Sequence, residues 1–290
     1  RVRMDKIRYF MVGMPSGGKT SYIVRFCSQL LLNKGDMMYH LSDGKLPEGY
    51  ERIKDSLEKM QSFQNVMRTL ENVHYNMTLP LLNEKGEELS LMIPDLSGEH
   101  YRKLVEDRYI ERKIYDGLQE ADEILFFLNP ETMEKEERLK WEEISAASLV
   151  SESMNVKKGD GFDIKVPEKA TQSQVVELLQ ILLYYVKKKM TIKFVISAWD
   201  RVEKRQVGNK ITPEEYLKNK FPFLYQCIIG NTERMEYEIF GVSALGAEYD
   251  DEEEMEKLEN ADVDIDTLVK IVMPDGTEYQ DVSRLLRKRE

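Results

Sequence analysis

Cysteine is nearly absent from this chain of 290 residues: only Cys27 and Cys227 occur, and neither stands in a metal-ligand spacing. The three histidines, His40, His74 and His100, do not cluster with them. Both facts argue against a disulfide framework and against a structural zinc site. An excess of positive charge is also missing. Lys and Arg number 42 against 53 Asp and Glu, a net charge of −11. That balance argues against non-specific binding to nucleic acid or to an anionic membrane, where phosphates dominate affinity. Long apolar runs are missing too. The start, Arg1-Val2-Arg3-Met4-Asp5-Lys6, has no apolar region of the length a secretory signal needs. The densest apolar stretch, 171–189, is interrupted by Glu177 and Gln180 and is too short in apolar run for a bilayer. The first residue is Arg rather than Met, which suggests a fragment or processed form, and a cytoplasmic protein is the expectation. The rest of the composition, 33% charged and 41% apolar, is ordinary for a soluble globular protein, and the length allows a substantial core.

One local motif stands out. Gly13-Met14-Pro15-Ser16-Gly17-Gly18-Lys19-Thr20 fits the phosphate-binding pattern G-x-x-x-x-G-K-[ST]. Its context fits as well. The preceding Ile7–Val12 run is apolar and β-prone, and the following 20–33 segment carries Tyr22, Ile23, Phe26, Leu30 and Leu31 at helical spacing. Strand, glycine-rich turn and helix are what the motif requires. The glycines, Gly13, Gly17 and Gly18, let the loop that holds Ser16 curl around an anion, and successive N–H groups point inward. The helix N-terminus, from Lys19 to Ser21, adds partial positive charge. Lys19 reaches the β- and γ-phosphates, and Thr20 offers its hydroxyl to Mg²⁺.

Strands and helices alternate along the rest of the chain. Segment 33–49 has loop composition, and 51–70 is helical in spacing. Residues 73–82 and 89–93 read as an antiparallel hairpin, and 102–118 as one amphipathic helix. Residues 124–128 form a buried strand closed by Asn129-Pro130. A charged helix and a loop follow as an insertion at about 131–167, and then a helix at 171–189. Buried strands are predicted at 192–197 and 237–243, with a helix from Pro213 capped by Thr212 between them. An extension at about 248–290 holds an acidic run, the turn Pro274-Asp275-Gly276 and a basic end. The predicted fold is α/β over 1–290: a mostly parallel central sheet with helices on both faces, one antiparallel edge from the early hairpin, and a helical insertion.

Three further motifs stand at strand ends, in the region where α/β sheets bind ligands. Asp95-Leu96-Ser97-Gly98 follows the 89–93 strand; its carboxylate is placed to hold Mg²⁺, and Gly98 lets a backbone N–H approach a γ-phosphate. Ser197-Ala198-Trp199-Asp200 ends the 192–197 strand. Ser243-Ala244-Leu245 ends the last one.

These four motifs in order resemble the P-loop GTPases of the Ras-like and translation-factor superclass over residues 7 to 247. Asp95-Leu96-Ser97-Gly98-Glu99, the long segment before it and the insertion are closer to the bacterial double-GTPases of conflict systems. The resemblance implies GTP and GDP as ligands with Mg²⁺. Asp200 would pair with guanine N1 and N2, and the Ala244 N–H with guanine O6. Thr69, with Thr78 second, would be the switch threonine closing the Mg²⁺ shell. Arg68 would be an arginine finger in cis, though a solvent-exposed helix residue is at least as good a reading. Glu99 stands where Ras-like proteins have Gln and would orient or deprotonate the attacking water, with His100 assisting. Ala198 stands in the Lys position of the guanine motif, which leaves adenine open; Trp199 supplies ring area there or belongs to the core. The function expected is a slow, Mg²⁺-dependent GTPase switch with a protein partner or effector, a second GTPase among the candidates. The alternatives are a nucleotide-gated interaction module with negligible hydrolysis and a P-loop ATPase.

Overall fold

The apolar strand runs have one feature in common: alternate residues enter different cores. In the computed structural model, Phe10 and Val12 of the first strand bury on one face, while Tyr9 and Met11 bury on the other. Ile124, Phe126 and Leu128 share the first face, and Leu125 and Phe127 the second. A strand apolar on both sides must be covered on both sides, and it is. The structure describes residues 7–32, 37–42, 50–61, 77–83, 85–93, 98–136, 171–206, 210–249, 251–262 and 265–287.

The elements in chain order are β1 (Ile7–Gly13), α1 (Lys19–Leu32), β2 (Tyr39–Leu41), α2 (Tyr50–Gln61), β3 (Met77–Asn83), β4 (Glu88–Ile93), α3 (Gly98–Asp107) and α4 (Arg112–Glu120). Next come β5 (Glu123–Leu128), α5 (Pro130–Glu136), α6 (Thr171–Tyr185), β6 (Met190–Ser197), α7 (Trp199–Arg205), α8 (Pro213–Lys220), α9 (Pro222–Ile229) and β7 (Met235–Ser243). The chain ends with α10 (Glu252–Asn260), β8 (Lys270–Val272) and β9 (Glu278–Tyr279), with short 3₁₀ turns at Ile265–Leu268 and Val282–Leu286.

Among the described residues the strands form one sheet in the order β2-β3-β4-β1-β5-β6-β7-β8-β9. The middle, β4-β1-β5-β6-β7, is parallel. Both edges are antiparallel: β2-β3-β4 on one side and β7-β8-β9 on the other. One face carries buried side chains of α3, α4, α6, α8 and α9. The opposite face is covered by Tyr22 and Phe26 of α1 and by Val282, Leu285 and Leu286 of the C-terminal turn.

Several sequence expectations are corrected. The 33–49 loop contains β2, a strand short enough to escape a period-two reading; Tyr39 is buried and His40 exposed. The single 102–118 helix is two helices broken at Arg108, whose φ of 55° lies in the left-handed region. The break lets Tyr101 and Leu104 before it and Ile114 and Leu118 after it reach the same core. The turn Pro274-Asp275-Gly276 joins a second antiparallel edge, β8-β9, which was not expected as part of the sheet. Helix α9 follows α8 directly, with Pro222 in its first turn. The Thr212 cap is as expected: its hydroxyl accepts from Glu215 N at 3.2 Å, and Glu215 Oε2 accepts from Thr212 N at 2.9 Å, a capping box. The second half of the 51–70 helix and most of the 131–167 insertion lie outside the described residues.

Candidate nucleotide site

The loop between β1 and α1 lies tightly over the ends of its neighbours. A Cβ at Gly13 would stand 2.8 Å from the Phe127 carbonyl oxygen. A Cβ at Gly18, where φ is +90°, would stand 2.5 Å from Ser197 Cβ. No side chain fits at either position, so glycine is a condition of this loop path. Ser16 takes a φ of 58° without being glycine. Its carbonyl accepts a hydrogen bond of 2.8 Å from Asn129 Nδ2 at the end of β5. Lys19 Nζ donates to the carbonyls of Gly13 at 2.7 Å and Met14 at 3.0 Å, and stands 5.7 Å from the Tyr101 ring centroid. Burial lowers its ammonium to about 7, and no charged group of the described residues acts on that value. Tyr101 is itself fixed, its hydroxyl donating to Met11 O at 2.7 Å. Thr20 and Ser21, in the first turn of α1, are half-buried.

The Ser197–Asp200 and Ser243–Leu245 motifs stand at the same ends of the parallel strands as this loop. Ser197 Oγ donates to Leu128 O at 3.1 Å. Ala198 turns the chain with a φ of 50°. The Asp200 N–H donates to the buried Ser243 Oγ at 2.8 Å, tying these two motifs together. Burial raises the Asp200 carboxyl above its ordinary range; its own backbone N–H, Lys204, Ser243 and Arg201 pull it back in part. Arg25 Nε, buried on α1, donates to Ala244 O at 2.7 Å. Leu245 packs against Val24, Leu57 and Met60.

The remaining expectations divide. The Trp199 side chain, 1% exposed, is part of the core, edge-on to Tyr216 at 5.6 Å and donating from Nε1 to Glu203. A Cβ on Gly241 would stand 2.4 Å from that ring. Of the two readings of Trp199, ring area for the base or part of the core, the buried ring takes the second, so the stacking role gives way to it. Gly98 and Glu99 open α3; the Glu99 side chain lies outside the described residues. His100 is half-buried, with Nε2 3.9 Å from Glu111 Oε1. Thr78 is exposed on β3 opposite Met92. Arg68, Thr69, Asp95, Leu96 and Ser97 lie outside the described residues.

Sequence reasoning missed Asn129, Arg25, Glu131 and Arg201. Asn129 was read only as a strand stop, although its place at a parallel strand's C-terminal end was itself a signal. The parts present fit a nucleoside phosphate. The glycine cradle admits a backbone-bound anion, the α1 N-terminus faces it, and Lys19 supplies a cation. No group of three His, Cys, Asp or Glu residues among the described ones could hold a metal ion by itself. A Thr20 hydroxyl suits Mg²⁺, which takes few protein ligands and completes its shell with phosphate and water.

No curated protein matches this chain significantly. Among solved structures, it is similar to the signal recognition particle receptor SRb-GTP/SRX complex from Chaetomium thermophilum, at 13% identity and a TM-score of 0.38, over 84% of this chain and 93% of that one. It is also similar to the translation elongation factor SelB from Methanococcus maripaludis, in complex with the GTP analogue GppNHp, at 13% identity and a TM-score of 0.35, over 90% of this chain and 34% of that one. These likenesses are loose, and membership does not rest on them. A sequence model of the Double-GTPase 1 family matches residues 10–289, nearly the whole chain. With the phosphate loop and the strand-end motifs in place, the chain belongs to the Double-GTPase 1 family.

Proposed function

We propose that this GTP-binding protein hydrolyses GTP with Mg²⁺ and acts as a slow molecular switch. The observation that carries the reading is the loop itself: Lys19 is held at the mouth of a glycine cradle by two main-chain carbonyls. Triphosphate oxygens would take Lys19 from those carbonyls, and the N–H groups of the α1 first turn would complete the cradle. Thr20, Thr69 and Asp95 would hold Mg²⁺, which supplies charge neutralisation across the β- and γ-phosphates. Asp200 would accept from guanine N1 and N2, and Ala244 would offer its N–H to O6. Gly98 and Thr69 would sense the γ-phosphate and be released on hydrolysis. Glu99 would orient the attacking water, with His100 and Arg68 assisting. The switch would act on a protein partner in the cytoplasm, a second GTPase being one candidate.

Single-turnover hydrolysis of radiolabelled GTP with and without Mg²⁺ tests the chemistry. Slow release of phosphate that needs Mg²⁺, and that Glu99→Ala slows without loss of binding, is expected. Tight binding with no turnover under any condition leaves a nucleotide-gated interaction module instead. ATP is the second reading because Ala198 and the buried Trp199 side chain provide no stacking group for the base; competition by ATP as strong as by GTP would establish it.

A further inference from the structure

We propose that Asn129, Glu131 and Arg201 form a bridge that ties the phosphate loop to the base-side loops, so that nucleotide release is governed from the corner where β5 turns into α5. The proposal rests on the nucleotide-binding reading above and deepens it by naming positioning residues that touch no part of the nucleotide.

Asn129 is engaged at both ends of its amide. Nδ2 donates to Ser16 O at 2.8 Å, and Oδ1 accepts from Glu131 N at 3.0 Å at the start of α5. Its main-chain oxygen accepts from Thr132 Oγ1 at 2.9 Å. These bonds fix the side chain's orientation and aim its donor at Ser16, the non-glycine residue of the phosphate loop that takes a positive φ. Two residues on, the Glu131 carboxylate takes two arginines of α7: Arg201 through Nη1, and Arg205 through Nη2 at 3.0 Å. Arg201 directly follows Asp200. Its second arm, Nη2, reaches Glu248 Oε1 at 2.9 Å, in the segment that follows Ala244 and Leu245. One corner thus holds the loop after β1, the loop after β6 and the loop after β7.

The pair at its centre is not a solvated surface pair. The side chains of Arg201 and Glu131 are 25% and 21% exposed, so their attraction is screened less than that of an exposed pair. Loosening any link frees two sides of the nucleotide pocket at once. A hydrogen bond or half-buried ion pair of this kind is expected to change a dissociation rate by about three- to tenfold.

The test uses the full chain loaded with fluorescent GDP and chased with unlabelled GDP, with thermal melting of the same samples. Asn129→Ser keeps a good helix cap but is too short to reach Ser16. Arg201→Met removes both ion pairs, and Arg201→Lys keeps the charge but can serve only one carboxylate. Expected are a release rate about tenfold faster for Asn129→Ser and for Arg201→Met, an intermediate rate for Arg201→Lys, and melting temperatures close to wild type. The double variant should release no faster than about the quicker single one, because one bridge is broken once. Wild-type release rates in the folded variants overturn the bridge, and so does a double variant whose effect is the product of the singles. If wild-type protein binds neither guanine nor adenine nucleotide, the nucleotide reading itself fails and the bridge with it.

Discussion

Lys19 and Lys193 sit in comparable places and are held in different ways. Lys193 is fully buried and Lys19 partly so; each ammonium donates to main-chain carbonyls, and burial lowers both. Lys193, fully buried in mid-strand on β6, donates to Leu285 O at 3.1 Å and to Arg287 O, and stands 5.0 Å from the Tyr9 ring centroid. It also has an anion, Glu123 Oε2 at 2.9 Å. Lys19 has carbonyls, and no carboxylate among the described residues pairs with it. A buried charge neutralised within the chain serves the fold, since removing one partner strands the other. A charge met, among the described residues, by the carbonyl dipoles of its own loop suits an anion from outside. Under the proposed function, that anion is the triphosphate.

The C-terminal turn shows what Lys193 is for. Tyr9 and Tyr39 hydroxyls both donate to Leu286 O, at 2.7 and 3.1 Å, and Tyr22 donates to Val282 O at 3.2 Å. Met38 N donates to Asp281 Oδ2 at 2.9 Å. This strap, with α1, closes the face of the sheet opposite the larger set of helices, so its lysine is part of the core.

The largest effect that would sharpen this contrast is at Lys193. Lys193→Met leaves Glu123 buried and unpaired and is expected to cost about 3–5 kcal/mol in urea unfolding. Adding Glu123→Leu should restore most of it, and a destabilisation below about 1 kcal/mol would break the contrast. Next comes Asp200. Asp200→Asn is expected to weaken GTP binding by about ten- to a hundredfold, the worth of hydrogen bonds to a charged group. Because burial raises its carboxyl, the ionised form that would pair with guanine under the proposed function is lost as pH falls, and lost at less acid pH than for a free carboxylate. GTP affinity measured from neutral to acid pH should therefore fall in wild type and stay flatter in Asp200→Asn; equal slopes would contradict that role. The smallest effect is in the strap. Tyr39→Phe removes one hydroxyl bond and should cost about 1 kcal/mol in unfolding, with GDP release unchanged.

What the sequence made legible was local. Gly13–Thr20 is eight consecutive residues whose pattern already specifies strand, turn and helix. Thr212 and Glu215 write their own cap three residues apart. The apolar runs of β1, β5 and β6 announced a doubly covered sheet. Links between distant positions were hidden. Asn129 meets Ser16, and Arg25 meets Ala244, only after the strands have been ordered, and no spacing records either contact. Trp199, inside a nucleotide motif, was open to two readings, ring area for a ligand or core; its burial depends on Gly241 and Tyr216 in other elements. Lys193 passed unremarked in an apolar run, since its counter-ion and carbonyl partners lie 70 or more positions away. The second sheet edge was visible as a turn but not as a pairing, because β8 and β9 are too short to show a period.

The most direct measurement is equilibrium titration of fluorescent GTP into wild-type protein and Lys19→Ala, with unlabelled ATP as competitor and melting curves as a control for folding. Saturable GTP binding in wild type, weak displacement by ATP, and loss of binding in a Lys19→Ala protein that melts at or above the wild-type temperature are the expected results. Undiminished GTP affinity in Lys19→Ala would contradict the assignment of this loop as the nucleotide site.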